Sequence, residues 1–244
     1  LVLAGGFWVP MMFAIGGMLL FPAANDLLTL FVALEVLSLP LYLLAGMARR
    51  RRLLSQEAAL KYFLLGAFSS AFFLFGAALI YGFAGSVQLS DIDVALGTRV
   101  GQEGLLLAGV GLIAVGLLFK VSAAPFHSWT PDVYQGAPTP VTGFMAACTK
   151  VAAFGAMLRI FYVSFGAVSS DWQPMFWAIA VLTMMVGVVV ALTQTDVKRM
   201  LAYSSIAHAG FILTGMVAAD EIGTASVLFY LVVYGFTTVG AFAV

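Results

Sequence analysis

Eight long apolar stretches constrain the fold of this chain more than any other feature. They fall at roughly 1–21, 27–47, 57–83, 104–134, 140–165, 174–193, 200–218 and 223–244. Each is long enough for an α-helix to cross the hydrocarbon core of a bilayer. Backbone groups in lipid must be satisfied within their own segment, and the stretches lack the period-two alternation of barrel strands. The sequence therefore predicts an all-α, polytopic membrane helix bundle with about eight transmembrane helices.

The composition excludes several other classes of protein. Hydrophobic residues make up 63% of the 244 residues and charged residues 9%, whereas soluble domains contain about 25% charged residues. The 11 basic and 11 acidic residues cancel, so no nucleic-acid partner is expected. A single cysteine, Cys148, excludes an internal disulfide, and with two histidines it leaves too few ligands for a protein-only metal cage. We therefore expect no metal and no bound cofactor in this chain, and the lipid bilayer as its surroundings.

Basic residues predict the orientation in the membrane. When the eight spans are threaded in order, the run 49–52 and the pair Lys198-Arg199 fall on one side, and Arg99 falls on the other. The second side is otherwise acidic, with Asp91, Asp93, Glu103, Asp171, Asp220 and Glu221. Short basic loops stay in the cytoplasm, so the first side is predicted to be cytoplasmic. The four arginines of the run 49–52 could also bind anionic lipid headgroups.

An internal repeat is suggested by residues from Ala59 onward and from Val227 onward, which are similar at an offset of 168 positions. Chance similarity between two apolar helices is the alternative. The third span runs outward and the eighth inward, so a true repeat would be inverted, as in many transporters. This interpretation divides the chain into a first five-helix repeat at 1–165 and a partial second repeat of three helices at 166–244.

Three charged residues, Glu35, Lys120 and Lys150, lie inside the apolar stretches. A charge at the bilayer centre costs roughly 2.5–3.5 kcal/mol on insertion scales, so it usually has a partner or marks an ion or proton path. A carboxylate and an amine in a poorly hydrated site stabilise each other's charged forms, and separating them favours release of the lysine's proton. Movement of Glu35 relative to Lys120 is thus predicted to gate a proton. A static ion pair between helices is the alternative.

A helix break is predicted directly after Lys120. The apolar run before it is followed within five residues by Pro125. Proline lacks a backbone donor and clashes with the carbonyl four residues earlier, so the helix should open beside Lys120. The segment 126–140 is too polar and proline-rich for a helix that faces lipid. We expect a broken helix near the midplane, followed by a short half-helix and a reentrant turn. Asp132 is expected to cap a helix or to bond to the loop backbone.

Three strings in the sequence carry a resemblance to a known family. FKVSAAPFHSWTPDVYQGAPTPV, FMAACTKVAAFGAMLRIF and QTDVKRMLAYSSIAHAGFIL resemble the antiporter-like membrane subunits of respiratory complex I, NADH:quinone oxidoreductase. The form WTPDVYQGAPTPV is similar to that of the N branch and its chloroplast relative. The L and M branches and the Mrp antiporter subunits instead resemble the form WLPDAH…APTPVS. The resemblance covers essentially the whole chain and implies further helices at both ends, so the chain is expected to be part of a longer polypeptide.

The resemblance implies a role for individual residues. It puts Glu35 in the place of the acidic partner, Lys120 in that of the central lysine of the first half-channel, and Lys150 in that of the lysine that relays protons towards the second half. His127 matches a histidine on a hydrated path between the two lysines. Lys61 matches a lysine beside the first-half pair, although it could simply extend to the cytoplasmic interface.

A second histidine, His208, lies in the middle of the seventh span beside Ser204 and Ser205. Imidazole titrates near neutral pH, so His208 is a candidate proton relay of the second half. The alternative is a core histidine that is hydrogen-bonded to a serine or a carbonyl.

The function implied by the resemblance is that of a proton-translocating subunit of an enzyme complex, coupled to quinone reduction. NADH, FMN, iron-sulfur clusters and quinone would serve the whole complex, and other membrane and peripheral subunits would be the partners. This chain has no GxGxxG motif, CxxC cluster or phosphate loop to hold such groups. The expected location is the bacterial inner membrane. Alternatives are an Mrp-type sodium/proton antiporter subunit, with the same lysine and glutamate helices, and a structural membrane subunit, which would need neither lysine.

Overall fold

The computed structural model describes residues 2–48, 52–98, 101 and 103–244, with side chains from Gly6 onward. The helices in these ranges are α1 Val2–Ala23, α2 Leu27–Ala45, α3 Arg52–Ala84, α4 Leu89–Thr98, α5 Glu103–Lys120, α6 Trp129–Gly136, α7 Thr139–Phe144, α8 Lys150–Arg159, α9 Ser169–Ala191, α10 Val197–Ala218 and α11 Glu221–Ala243. Two π-helical turns, Met145–Thr149 and Ile160–Ser164, flank α8. Helices α7 and α8 and both turns therefore form one membrane-crossing segment, Thr139–Ser164.

Eight segments among the described residues are long and apolar enough to cross a membrane. They are α1 to α3, α5, the segment Thr139–Ser164, and α9 to α11. Their outward faces carry large apolar side chains, such as Phe68 at 64% exposure and Phe236 at 80%, which suit a lipid surrounding better than water. The prediction of an all-α polytopic membrane bundle is confirmed.

Aspartate residues begin three of the spanning helices. In each case a side-chain oxygen accepts a hydrogen bond from the backbone N–H three residues later, which satisfies a donor that the helix leaves free. The negative charge also complements the positive end of the helix dipole. The caps of α2, α10 and α11 are Asp26, Asp196 and Asp220, respectively.

Close contact between α2 and α3 depends on a glycine. A Cβ added to Gly66 would lie 2.1 Å from the hydroxyl oxygen of Tyr42. Tyr42 is buried, and its ring packs edge-on against Tyr62 of α3 at 4.6 Å between centroids. Gly66 therefore lets the polar tip of Tyr42 sit directly against the α3 backbone.

Helix α4 lies between two of the apolar stretches, in a part of the sequence where no helix was predicted. Its buried face consists of Leu89, Ile92 and Ala95. Leu89 also donates a backbone hydrogen bond to Asn25 O at 3.0 Å, which ties α4 to the connection between α1 and α2. This short amphipathic helix caps the end of the bundle that carries the acidic residues.

The two ends of the bundle differ in charge in the way that the sequence predicts. Arg52 begins α3, and Lys198 and Arg199 lie in the first turn of α10, at one common end. The starts of α4, α5 and α11 carry Asp91, Glu103 and Glu221 at the opposite end. The predicted orientation also depends on residues 49–51 and Arg99, which lie outside the described residues. The division into repeats at 165/166 stays a prediction.

Candidate functional site

Helix α5 ends at Lys120 in a Schellman motif. The backbone N–H of Ala123 donates to Leu118 O at 2.9 Å, and that of Ser122 donates to Phe119 O at 3.0 Å. Ser122 has φ 64°, the left-handed conformation that this motif requires and that glycine usually provides. The predicted break beside Lys120 is confirmed.

The backbone groups released by the break find partners inside the protein. Ala124 N–H donates to the hydroxyl of Thr183 in α9 at 3.0 Å, and the indole of Trp129 donates to Phe119 O at 3.1 Å. Non-helical backbone at membrane depth is tolerated only where protein or a water-filled cavity surrounds it. Thr183 is fully buried, so this part of the break is enclosed by protein. Sequence reasoning missed Thr183, because a threonine in an apolar helix gives no signal of its partner.

The short helix α6 after the break is held by two ion pairs. Asp132 lies in its first turn, and the two carboxylate oxygens are each 2.6 Å from a cation, Lys61 of α3 and Arg199 of α10. Lys61 also pairs with Glu57 at 2.7 Å. The expectation that Asp132 bonds to the backbone was wrong, because two cations from neighbouring helices reach its carboxylate. We call Asp132, Lys61 and Arg199 the Asp132 clamp.

The charge state of Asp132 follows from this environment. Partial burial works to raise the pKa of the carboxyl, but the hydrogen bonds from Lys61 and Arg199 outweigh it and lower the pKa below its usual value. Asp132 is therefore an anion at neutral pH.

Lys120 is almost completely buried, at 4% exposure, and its partners are neutral. Its ammonium donates to the hydroxyl of Ser38 in α2 at 2.7 Å and lies 3.5 Å from the hydroxyl of Tyr62 in α3. Trp129 stacks on the Tyr62 ring at 4.7 Å between centroids. Helices α2, α3 and α5 and the start of α6 thus meet around one amine.

Glu35 lies in α2, one helical turn before Ser38. Its Oε1 atom is buried and has no hydrogen-bond partner, although its charge interacts with Lys120. In the part of the chain that the structure describes, no salt bridge joins Glu35 to Lys120; the ion pairs there involve Lys61 and Arg199. The carboxylate and the amine are therefore neighbours that are not in contact. Sequence reasoning missed Ser38, although its spacing of three residues from Glu35 places both on one helix face.

Lys150 forms the centre of a second buried cluster and is 1% exposed. It directly follows the π-helical turn Met145–Thr149, and its ammonium donates to the backbone carbonyl of Ser205 in α10. The hydroxyls of Ser205 and Tyr234 lie 2.8 Å apart, and Tyr234 donates to Ala146 O inside the π-turn at 3.2 Å. Among the residues with described side chains, no carboxylate lies within ion-pair distance of Lys150.

The two histidines have different surroundings. His208 Nδ1 lies 2.7 Å from the hydroxyl of Tyr230, and its ring is 5.2 Å from that of Tyr234, so His208 belongs to the Lys150 cluster. Its partner is a tyrosine rather than the serine or carbonyl that the alternative expected. His127 lies in the loop between α5 and α6, where its Nδ1 is buried without a partner and its ring is 6.5 Å from Tyr203.

The predicted site residues other than His127 thus divide into three groups. Glu35 and Lys120 share one buried site, Lys150 and His208 share another, and Lys61 belongs to the Asp132 clamp. No three His, Cys, Asp or Glu side chains converge into a metal site within the described part of the chain.

Eight spanning helices, a helix broken beside one buried lysine and a second lysine buried after a π-turn define a class of protein. This is a multi-pass α-helical membrane protein with amines in its interior. Residues 24–244 match the family described as NADH:quinone oxidoreductase/Mrp antiporter, TM, and the chain belongs to this family.

Curated relatives with high identity carry one common name. The chain is 71% identical over 233 residues to NADH-quinone oxidoreductase subunit N of Rhodococcus opacus (strain B4), which covers 96% of this chain and 43% of that protein. It is 66% identical over 233 residues to subunit N of Mycobacterium tuberculosis (strain CDC 1551 / Oshkosh), with 96% of this chain and 44% of the relative covered. The chain therefore spans less than half the length of these relatives.

Two solved structures with the same fold come from different kinds of complex. Respiratory complex I from Thermus thermophilus with bound aureothin contains a chain with 45% identity and a TM-score of 0.83, with 98% of this chain and 51% of that chain covered. The Mrp complex from Dietzia sp. DQ12-45-1b gives 25% identity and a TM-score of 0.88, with 96% and 43% covered. With these bacterial relatives and its eight spans, the chain is a multi-pass integral protein of the bacterial inner membrane.

Proposed function

We propose that this chain belongs to a proton-translocating membrane subunit of NADH:quinone oxidoreductase and that its buried amines carry the protons. The observation that supports this proposal best is that Lys120 and Lys150 are both buried against neutral partners. A buried ammonium without a counter-ion is costly, whereas a lysine that can lose its proton in such a site is suited to carrying one.

Lys120 takes up and releases a proton by changing its distance to Glu35. Near the carboxylate the ammonium is stabilised, and the amine holds its proton. Against Ser38 and Tyr62, which are neutral, the charged form loses that support, an N–H bond breaks and the proton passes to water or to the next base. The lone pair that remains on the nitrogen accepts the next proton.

Lys150 is the next carrier along the path. Helix α8, which begins with Lys150, packs against α5. His127 lies in the loop after Lys120 and relays protons between the two lysines. Beyond Lys150, His208 and the hydroxyls of Tyr230 and Tyr234 extend the set of exchangeable protons away from Lys120. Lys61 supplies a charged entry at the cytoplasmic end.

The redox chemistry takes place in partner subunits of the complex. NADH, FMN, iron-sulfur clusters and quinone act there, and this chain contributes no ligand to them. The common name of the curated relatives supports this assignment. We also propose that the chain contains one whole inverted repeat, 1–165, and part of a second, 166–244.

A second candidate is an Mrp-type sodium/proton antiporter subunit, and the likeness to the Dietzia structure favours it. Identity argues for the first candidate, because the chain shares 45% of its residues with the complex I chain and 25% with the Mrp chain. A structural membrane subunit would not require two buried amines. The two transport functions differ in their dependence on sodium.

The proposal is tested with Glu35→Gln, Lys150→Met and Lys150→Arg in the assembled complex in sealed vesicles. Proton uptake and quinone reduction are measured together, in sodium-free and sodium-containing buffer. We expect proton uptake per quinone reduced to fall in all three variants. Glu35→Gln removes the carboxylate that stabilises the Lys120 ammonium, and Lys150→Met removes the amine. Lys150→Arg keeps the charge, but an arginine side chain cannot release a proton. The matched control is Lys198→Met. In the unmodified chain the ammonium of Lys198 donates to the carbonyl of Ala137 at 2.6 Å, at the end of the bundle that we assign to the cytoplasm. Unchanged uptake in the three variants would overturn the proposal, and uptake that requires sodium would favour the antiporter.

A further inference from the structure

We infer that Ser38 is a positioning residue that holds the Lys120 amine one helical turn away from Glu35, in the place where the amine gives up its proton. No charge marks Ser38 in the sequence, and the role follows from contacts across helices. The inference rests on the proposed function, because it assigns a role to Ser38 within the cycle of Lys120.

The hydroxyl of Ser38 is oriented to accept a hydrogen bond from the amine. It donates its own proton to the carbonyl of Leu34 in the preceding turn of α2. A serine hydroxyl has one donor and two acceptor lone pairs, so the lone pairs remain to accept hydrogen bonds. The ammonium donates to Ser38 Oγ at 2.7 Å, and Ser38 is 1% exposed.

Glu35 offers the same amine a second position. Residues three apart lie on one face of a helix, and Glu35 is displaced from Ser38 by about 4.5 Å along the α2 axis. The buried Oε1 of Glu35 has no partner, so it is free to accept the ammonium. The lysine side chain has a flexible four-carbon stem, and the charge of Glu35 already acts on its amine. Ser38 and Glu35 therefore compete for one ammonium.

Among the described groups near the Lys120 amine, the competing acceptors Ser38 and Glu35 both belong to α2. The titratable and charged groups on the helices packed around Lys120 are Glu35 and Tyr42 of α2, Arg52, Glu57, Lys61, Tyr62 and Tyr81 of α3, Asp132 and Tyr134 of α6, Lys150 and Arg159 of α8, Asp171 of α9 and, on its own helix, Glu103. Glu57 pairs with Lys61, and Glu103 and Asp171 lie in the first turns of α5 and α9. Asp132 is engaged by Lys61 and Arg199 in the clamp. Glu35 is thus the carboxylate that is available to the amine.

Removal of the Ser38 hydroxyl shifts the amine towards Glu35. Next to the carboxylate the lysine keeps its proton, so turnover of protons slows at a given pH. Release then requires a higher pH, and the pH profile of pumping moves upward. In a Glu35→Gln background the competing charge is absent, so removal of the hydroxyl cannot move the profile to higher pH.

The experiment compares Ser38→Ala and Ser38→Thr in the assembled complex in vesicles, with proton uptake per quinone reduced measured as a function of pH. Thr keeps a hydroxyl that can donate to the carbonyl four residues earlier. A hydrogen bond to a charged group typically contributes enough for about a tenfold to hundredfold effect on an equilibrium. We expect uptake in Ser38→Ala to fall by about tenfold or more at neutral pH, with a profile displaced to higher pH. Ser38→Thr should behave as the unmodified protein.

Three outcomes would overturn the role of Ser38. They are an unchanged pH profile in Ser38→Ala, equal losses in the Ala and Thr variants, and a shift to higher pH that persists when Ser38→Ala is combined with Glu35→Gln. Lys120→Met in the same preparation separates this inference from the function it rests on. Normal pumping by Lys120→Met would defeat the proposed function itself. Loss of pumping by Lys120→Met together with a normal Ser38→Ala would defeat only the role of Ser38.

Discussion

Asp132 and Arg199 join the short helix after the break to a helix that spans the membrane. The carboxylate of Asp132 in α6 lies 2.6 Å from the guanidinium of Arg199 in the first turn of α10. Its other oxygen lies 2.6 Å from the ammonium of Lys61 in α3. The chain is not helical between α5 and α6, so these ion pairs help to fix α6 between α3 and α10.

Loss of the Asp132 carboxylate should loosen α6. Asp132→Asn keeps the size of the side chain and removes the charge from two ion pairs. The three side chains of the clamp are 28–41% exposed, so each pair contributes only about 1 kcal/mol at most. We expect a lower thermal midpoint in detergent for Asp132→Asn. Glu57→Gln removes only the 56%-exposed partner of Lys61 and is the control. An equal effect of both variants would contradict a specific role of the clamp.

The contribution of Asp132 to stability should depend on pH in one direction. Its pKa is lower in the folded protein than the ordinary value of about 3.9. A carboxyl with a lowered pKa stabilises the folded state fully above the unfolded pKa, and the contribution is lost as the pH falls through the folded pKa. The difference in midpoint between the unmodified protein and Asp132→Asn should be constant from pH 6 to 8 and shrink below about pH 4. A difference that grows on acidification would show that the lowered pKa is wrong.

Ser122 carries a conformational cost at the end of α5. Its φ of 64° is left-handed, which costs a residue with a Cβ about 1–2 kcal/mol. Its buried hydroxyl has no partner, so removal of that group loses no hydrogen bond. We expect Ser122→Gly to leave the thermal midpoint unchanged or raise it. Ser122→Val should lower it, because a β-branched side chain tolerates this conformation least.

The control for Ser122→Gly is Ser128→Gly, because Ser128 lies in the same connection between α5 and α6 but has φ −57°. Ser128→Gly should not raise the thermal midpoint, because Ser128 has a negative φ that residues with a Cβ adopt without strain. A thermal midpoint that is lower for Ser122→Gly than for Ser122→Val would contradict the left-handed conformation of Ser122.

Gly66 should be intolerant of a larger residue. In Gly66→Ala the new Cβ would meet the Tyr42 hydroxyl at 2.1 Å, so the ring must shift in a buried site. Overpacking of this kind costs about 1–3 kcal/mol. Tyr42→Phe in the same chain removes the nearest atom and should recover part of the loss. The control is Gly111→Ala in α5, where nothing lies within 4 Å and the higher helix propensity of alanine should stabilise. Equal midpoints for Gly66→Ala and Gly111→Ala would argue against the contact.

Much of the fold could be predicted from the sequence because bilayers impose a length and a polarity on each span. The eight spans and the break beside Lys120 follow from apolar runs and from the chemistry of Pro125. The π-turns could not be predicted, since one extra residue in a turn leaves no mark in a helix that is apolar all round. Helix α4 was missed because its acidic residues resemble those of a loop, whereas its three buried positions follow helical spacing.

The charged residues of the candidate site could be predicted from the sequence, whereas the hydroxyl-bearing residues that contact them could not. Lys120, Lys150 and Glu35 are conspicuous in apolar stretches, and the structure brings Glu35 and Lys120 into one site. The hydrogen bond from Lys120 to Ser38 joins positions 82 residues apart. A single sequence carries no information about that pairing, and a serine in an apolar helix commonly bonds its own backbone instead.

The most direct test of the account is the number of protons moved per NADH oxidised by the assembled complex in sealed vesicles, with Lys120→Met compared with Lys198→Met. Both variants remove one lysine, from the buried site and from the basic end of the bundle, respectively. We predict that Lys120→Met lowers this ratio while the complex stays assembled, and that Lys198→Met leaves it unchanged. A normal ratio in an intact Lys120→Met complex would contradict the claim that the buried amine carries protons.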